Sequence, residues 1–219
     1  MTEESLAIVH EWVSAAAGSE KVFEAIAQLY AGADLYALSV QPGVPLDLSG
    51  RKVLTTWLDH KRFRDRRSLT LPMMPVAWRL LQARSGRSYD TVITSHHAFA
   101  TQNSIGRTAR RHLAYVHSPA RYVWSPALDP RGNVWPVKVL RPALKRVDRA
   151  AARRLTAVAA NSAEVARRIQ ESWGVDATVI HPPVDTRFLA PGETIRSIFP
   201  SATASCLASL GGSNTKDSI

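Results

Sequence analysis

Cysteine is almost missing from this sequence: Cys206 is the single one among 219 residues. One cysteine excludes an internal disulfide and leaves no Cys/His spacing for zinc, so we expect neither covalent staples nor a metal site. The opening residues, MTEESLAIVH, lack the basic and apolar segments of a secretory leader. No window approaches the roughly 18 apolar residues that a spanning helix needs. We therefore expect a cytoplasmic chain that is at most peripheral at the inner face of the membrane.

Acidic residues are outnumbered, with 18 Asp and Glu against 28 Lys and Arg and a net charge of +10. This balance favours phosphate-bearing partners: nucleic acid, an anionic membrane or a phosphorylated small molecule. Two segments concentrate the basic residues, 61–67 and the amphipathic stretch 138–154. Both segments fit contact with anionic lipid; a solvated loop is the commoner outcome for a charge run such as 61–67, and the charges of 138–154 also fit a solubilising helix face. Because no nucleic-acid-binding module is recognisable, we predict that nucleic acid is not a partner.

Apolar runs without polar alternation recur along the chain and predict buried strands. They cover residues 6–9, 35–40, 53–58, 91–94, 113–116, 157–160 and 177–180. Helical periodicity fills most of the intervals, at 20–31, 71–84, 137–154 and 163–173, where Asn161 and Glu164 suggest a capping box and Gly174 suits the helix end. The alternation predicts an α/β fold, a doubly wound parallel sheet of the Rossmann-like kind.

Polar residues follow four of these strands at their carboxyl ends. They are Gly18 and Ser19, His96 and His97 after Ser95, His117 with Ser118 and Arg121, and Asn161 with Ser162. Ligands of open α/β sheets lie outside the carboxyl ends of the strands, so these groups should converge on one crevice.

Each of these positions also has a structural interpretation. Gly18 and Ser19 fit phosphate binding at a helix start or a tight turn capped by the serine, with neither a P-loop nor GxGxxG present. His96 fits a ligand or a satisfied structural histidine. His117 can donate a hydrogen bond to a ligand while Arg121 offers a planar fork to phosphate; alternatively, aromatic neighbours pack the loop and Arg121 is solvated.

Several segments together carry a family resemblance: IVHEW with GSEKV, DTVITSHHA, YVHSPARYVW, VAANSAEVARRI and VIHPPVD. In this order and spacing, over about residues 5–189, they resemble the amino-terminal half of bacterial family 4 glycosyltransferases, a retaining group that includes many mannosyltransferases. The resemblance implies a GT-B fold of two facing Rossmann-like domains, an active site between them, a nucleotide-sugar donor and no metal or other cofactor.

The resemblance also implies roles for the strand-end residues. His117 corresponds to a histidine against the donor sugar and is the expected catalytic residue, while the turn at Gly18 approaches the donor diphosphate and the acceptor. The remaining donor- or acceptor-binding candidates are Ser19, His96, Ser118, Arg121, Asn161 and Ser162. The expected donor is GDP-mannose, and the expected acceptor is a glycan or lipid-linked glycan of cell-surface polysaccharide synthesis.

The carboxyl-terminal part of the chain has a different character. We expect residues 1–190 to form the acceptor-side domain and 191–219, where seven of the last nineteen residues are Ser or Thr, to be an unstructured tail. Permissible codons for 205–218, read two nucleotides further along, encode a sequence like the start of the family's donor-binding domain. This suggests a frameshifted, truncated enzyme that is inactive alone. The alternative is a non-catalytic basic binding module or a subunit completed by another chain.

Overall fold

A single parallel sheet organises the chain in a computed structural model, which describes residues 4–14, 18–64 and 70–184, without the side chains of 82–85, 130 and 131. The sheet has seven strands in the order β3-β2-β1-β4-β5-β6-β7. They are β1 (Leu6–Val13), β2 (Asp34–Val40), β3 (Val53–Thr55), β4 (Thr91–His96), β5 (Arg111–Val116), β6 (Ala157–Ala160) and β7 (Thr178–Val179). The order reverses between β1 and β4, which makes the gap beyond their carboxyl ends the topological switch point.

Helices cover both faces of the sheet. They are α1 (Gly18–Leu29), α2 (Lys61–Arg64), α3 (Met74–Ser85), α4 (Ser104–Thr108), α5 (Arg121–Trp124), α6 (Trp135–Ala152) and α7 (Ala163–Trp173). Helix α1 packs on one face, and α3, α4, α6 and α7 contribute to the apolar clusters on the other. The doubly wound, Rossmann-like arrangement predicted from the sequence is therefore confirmed.

Helix α1 packs on the sheet because its apolar positions recur with helical spacing. Phe23 and Ala27 are fully buried against Ile8 of β1 and Leu35 of β2. Burial of a side chain the size of Phe23 contributes roughly 1.5–3 kcal/mol relative to exposure. This packing fixes the amino-terminal end of α1, and hence Gly18, beside the carboxyl end of β1.

A buried carboxylate joins three helices on the opposite face. Asp148 of α6 is fully buried, and its Oδ2 accepts hydrogen bonds from the indole N–H groups of Trp124 in α5 and Trp173 in α7, both at 2.7 Å. Burial raises the pKa of Asp148 to about 6, although the two indole hydrogen bonds act to lower it. Because both donors need the carboxylate, Asp148 holds α5 in place relative to the two longer helices.

Local hydrogen bonds end β3 and begin α7 differently from the sequence prediction. The strand predicted at 53–58 ends at Thr55, because the Thr56 hydroxyl accepts from the Leu58 N–H and caps a 3₁₀ turn. The predicted capping box is also wrong. Ser162, not Asn161, caps α7 by accepting from the Val165 N–H, while the Glu164 carboxylate is engaged by Arg167 and Arg168. Gly174 ends α7 in the left-handed conformation, as predicted.

The compact unit ends at Pro183. The proposed domain boundary at residue 190 and the tail 191–219 lie outside the described residues, as do residues 65–67 of the first basic segment. The domain boundary and the unstructured tail therefore remain predictions. Among the described helices, none combines the length and the apolar character needed to cross a membrane.

Candidate functional site

A cavity of about 380 Å³ opens beyond the carboxyl ends of the strands, and we call it the cleft. Its walls come from the segments that follow β1, β4, β5, β6 and β7, together with α7. The lining residues are Gly18, Ser19, His97, His117, Ser118, Arg121, Tyr122, Asp129, Asn161, Arg168 and Pro182. The cleft therefore lies at the topological switch point, where open α/β sheets bind ligands.

Six of the eight predicted site residues line the cleft, and two do not. His96 is fully buried and its ring packs edge-on against Trp173, with centroids 5.1 Å apart. Successive side chains of a strand point to opposite faces, so His96 turns away from the face that Ser95 occupies. His97 lines the cleft in its place. Ser162 is used as the cap of α7 rather than as part of the wall.

His117 is held by a chain of buried hydrogen bonds. Its Nε2 lies 2.9 Å from the Ser95 hydroxyl, and that hydroxyl lies 2.9 Å from Nδ1 of His10. The register explains the contact, because His10 and Ser95 are directly paired across β1 and β4 and lie on the same face. His10 and Ser95 are both fully buried, whereas His117 is half-buried and faces the cleft.

Burial makes both of these histidines neutral at pH 7. Desolvation lowers the pKa of His117 to about 4 and that of His10 to about 3, the latter with a further contribution from His117. A neutral imidazole has one donor and one acceptor nitrogen. Since Nε2 of His117 is engaged by Ser95, Nδ1 is the ring nitrogen left for a ligand, and it donates a hydrogen bond in the tautomer in which Nε2 accepts from the Ser95 hydroxyl.

A buried glutamate shapes the turn that brings His97 to the cleft. Glu11 of β1 is fully buried, and its carboxylate accepts the backbone N–H groups of His97 at 3.2 Å, Ala98 at 3.0 Å and Phe99. Burial raises its pKa to about 7 despite these three donors. Glu11 therefore acts as the anchor of the β4 turn. Sequence reasoning did not single out Glu11 as a site residue, although it lies in the segment IVHEW that contributes to the family resemblance.

Two arginines line the cleft, and they differ in whether a carboxylate of the described residues pairs with them. Arg168 of α7 donates to the Glu164 carboxylate at 2.9 Å, so much of its charge is neutralised. Arg121 begins α5, is exposed, and pairs with no carboxylate in the described part of the chain. Its position is fixed through α5, whose Trp124 bonds Asp148. Arg121 is therefore the cation of the cleft wall most available to an anion.

The start of α1 supplies the last wall of the cleft. Gly18 is the first residue of the helix, and a methyl group at its Cβ position would meet no atom within 4 Å. Ser19 does not cap the helix; its hydroxyl donates to the buried Glu20 carboxylate at 2.7 Å. The helix N-terminus carries a partial positive charge, which Glu20 offsets in part.

Sequence reasoning missed four of the lining residues: Tyr122, Asp129, Arg168 and Pro182. Asp129 lies beyond α5, and Arg168 lies about one and a half turns into α7, so neither follows a strand directly. Only the placement of α5 and α7 brings them to the wall. In the described ranges, no group of three His, Cys, Asp or Glu side chains has the geometry to hold a metal ion.

A protein-family profile matches most of the chain. The profile described as Glycosyltransferase Family 4 matches residues 18–188, which include every residue of the cleft wall. The chain belongs to glycosyltransferase family 4. A search of curated protein sequences returns no match for it.

Among solved structures, the family 4 chain is similar to a UDP-glucosyltransferase from Polygonum tinctorium capable of glucosylating indoxyl, in complex with 3,4-dichloroaniline. The identity is 14%, the TM-score is 0.37, and the match covers 83% of this chain. The chain spans about half the length of that enzyme, 53%. At this distance the likeness says nothing about donor or acceptor.

Proposed function

We propose that the described domain is the acceptor-side half of a retaining glycosyltransferase that moves a sugar from a nucleotide-sugar to a glycan or lipid-linked acceptor. The observation that carries this is the position of the cleft: a family 4 match spans it, and its lining combines a neutral histidine, a helix N-terminus and an arginine that pairs with no carboxylate among the described residues. No metal or cofactor is part of the proposal.

His117 is the proposed catalytic residue, with a role that follows from its neutrality. An uncharged imidazole supplies a hydrogen bond to the donor sugar or to developing charge near it, rather than a full positive charge. Its fixed orientation through Ser95 means that little reorganisation is needed as an oxocarbenium-like transition state forms beside the donor's own diphosphate. Arg121 both supports the loop and lies where it can contact a phosphate oxygen.

Mannose is the proposed sugar and GDP-mannose the proposed donor, from the family resemblance alone. The proposed setting is the cytoplasmic face of the membrane, where the chain contacts anionic lipid bearing the acceptor. The net charge of +10 and the basic α6 support that contact. Binding to vesicles that rises with anionic lipid and falls with salt would support this part, whereas equal binding to neutral vesicles would contradict it.

A donor-dependent transfer assay tests the proposal. The purified chain is assayed with GDP-mannose and UDP-glucose, alone and mixed with a candidate donor-binding half. Sugar transfer by the mixture supports the transferase function. A faster rate with GDP-mannose than with UDP-glucose supports mannose as the transferred sugar. If neither preparation transfers sugar or binds either nucleotide-sugar, the rival function, a non-catalytic basic module, is favoured.

Substitution of His117 and Ser95 tests the roles within the cleft. In the transferring preparation, His117→Ala should reduce turnover by about 100-fold or more with a nearly unchanged melting temperature, and Ser95→Ala by about tenfold, because the ring remains but loses its orientation. Ser39→Ala, which alters another buried strand serine, is the matched control.

A spectroscopic measurement separates positioning from general damage. The ¹⁵N chemical shifts of the His117 ring report which nitrogen carries the proton. They should change in Ser95→Ala and stay unchanged in Ser39→Ala. Unchanged shifts in both variants would remove Ser95 from the mechanism, and full activity in His117→Ala would make His117 a packing residue.

A further inference from the structure

A second cavity, of about 130 Å³, lies among α3, α4 and α6 on the face of the sheet opposite α1. We call it the arginine pocket. Its rim carries Arg79 from α3, Arg107 from α4 and Arg154 just beyond α6, and its wall includes Thr101, Gln102 and His112. It shares no lining residue with the cleft.

The three guanidinium groups have no counter-charge within the described residues. None of them makes an ion pair or a side-chain hydrogen bond there, although exposed arginines elsewhere, such as Arg111 and Arg167, are paired with glutamates. All three side chains are exposed, so water screens their mutual repulsion in part, but three like charges still surround one small cavity. An anion in the pocket would remove that repulsion.

The wall also offers polar groups that are not fully used. Thr101 is 1% exposed, and its hydroxyl has no hydrogen-bond partner in the described part of the chain. Gln102 is 4% exposed; its amide contacts the Asp148 carboxylate but makes no hydrogen bond of ordinary length and angle. A buried hydroxyl without a partner is destabilising, so a ligand oxygen or water at this wall is favoured.

His112 does not contribute a charge to the pocket. Its Nε2 is bonded to the Thr94 hydroxyl at 2.8 Å, and burial lowers its pKa to about 4. The one described carboxylate that touches the wall, Asp148, is fully buried behind Gln102 and already accepts two indole N–H groups. The pocket therefore presents donors and positive charge to its occupant.

We infer that the arginine pocket binds a phosphate dianion, either free or as the head of a small phosphomonoester. Its volume is sufficient for one phosphate group, and the pocket is open to solvent, so the remainder of a phosphomonoester can extend outward. Guanidinium forks from three separate segments of the chain match the several oxygens of a tetrahedral anion. Bound phosphate would tie α3, α4 and α6 together.

Titration of the full chain with inorganic phosphate at constant ionic strength tests the inference. The melting temperature should rise with phosphate in a saturable manner, and an equal ionic strength of chloride should not reproduce the rise. Arg154→Gln should weaken phosphate binding by about tenfold or more, the loss expected for one charge-assisted hydrogen bond. Arg107→Gln should do the same from a different helix.

The matched control is Arg153→Gln. Arg153 is exposed, adjacent in sequence and outside the pocket, so it tests net charge alone. This variant should bind phosphate as the parent chain does. Arg121→Gln is measured beside it to report phosphate binding in the cleft, which Arg121 lines. Equal losses in Arg153→Gln and Arg154→Gln, a loss confined to Arg121→Gln, or no saturable binding would each overturn the inference.

A second titration with glycerol 3-phosphate defines the source of the group. Binding that also depends on Arg154 supports a phosphomonoester whose remainder extends from the mouth, and binding of inorganic phosphate alone supports an enclosed free anion. Neither result depends on sugar transfer, because the pocket is separate from the cleft. Failure here would leave the proposed transferase function untouched, and the reverse also holds.

Discussion

The cleft and the arginine pocket hold their polar groups in opposite ways. In the cleft, His117 is fixed through Ser95 and His10, and the adjoining turn is fixed by the Glu11 carboxylate. In the arginine pocket, three cations surround a cavity with no counter-charge among the described residues. The cleft is thus preorganised by the protein itself, whereas the pocket depends on a ligand for its electrostatic balance.

Because the cleft depends on the protein's own hydrogen bonds, the largest expected loss of stability comes from substitution of Glu11. Glu11→Ala removes the acceptor of three backbone N–H groups, of which those of Ala98 and Phe99 are buried, and each buried unsatisfied group costs about 1–3 kcal/mol, so the free energy of unfolding should fall by at least about 2 kcal/mol. Urea denaturation measures the change. Arg154→Gln, in the other region, should alter stability by less than about 0.5 kcal/mol in phosphate-free buffer.

Glu11→Gln sharpens the same test, because the amide retains one acceptor oxygen and carries no charge to bury. Its loss of stability should be clearly smaller than that of Glu11→Ala. If Glu11→Ala were no less stable than Arg154→Gln, the turn after β4 would not depend on the carboxylate.

Acidification should destabilise the protein below neutral pH. Four buried histidines have a lowered pKa: His10 and His96 near 3, His112 and His117 near 4. The stability that depends on their neutral form is complete above their ordinary pKa, about 6.5, and is lost as the pH falls toward 4. Two of the four, His10 and His117, belong to the hydrogen-bonded chain beside the cleft.

Two carboxyl groups act in the opposite direction. Burial raises the pKa of Glu11 to about 7 and of Asp148 to about 6, so their contribution is present at low pH and is lost as the pH rises through those values. Near pH 5 the unfolded chain has gained about four histidine protons, and the native chain holds about two more carboxyl protons than the unfolded one. The net uptake of two protons predicts a loss of about 3 kcal/mol per pH unit.

Urea denaturation at pH 7, 6 and 5 measures this slope. His112→Gln should reduce it by about one proton, roughly 1.4 kcal/mol per pH unit. A stability that stays constant or rises between pH 6 and 5 would contradict the burial of these imidazoles as neutral groups.

The sequence predicts the frame of the site better than its interior. Apolar runs without alternation reveal parallel strands, and the carboxyl-end rule then brings Gly18, His117 and Asn161 to one cleft. The rule does not tell which of two adjacent side chains faces the cleft. The sequence prediction named His96, whereas His97 lines the cleft, because the face that each β4 side chain occupies depends on the register of β4 with β1.

The interior polar network and the arginine pocket need three dimensions. His10 and Glu11 lie within an apolar strand, and their partners Ser95 and 97–99 are about 85 residues away in sequence. The basic residues of 138–154 look like one solvated face, because only the packing of α3 and α4 shows that Arg154 shares a cavity with Arg79 and Arg107.

The smallest expected effects on stability come from substitution of one glycine in each region, Gly18 in the cleft and Gly106 beside the arginine pocket. Gly18 lines the cleft and has open space at its Cβ position, so Gly18→Ala should change the free energy of unfolding by less than about 1 kcal/mol, with helix propensity favouring alanine. Gly106, in α4 beside the arginine pocket, has the His112 ring too close for a Cβ. Gly106→Ala should therefore cost about 1–3 kcal/mol through overpacking.

Urea denaturation of both variants, together with nucleotide-sugar binding, completes this comparison. The methyl group of Gly18→Ala extends into the cleft, so ligand binding should weaken while stability is retained; Gly106→Ala should lose stability and bind normally where it is folded. The opposite pattern, a damaged fold in Gly18→Ala with intact binding, would mean that the start of α1 serves packing and not the cleft. Since neither glycine has a positive φ, backbone strain cannot explain either result.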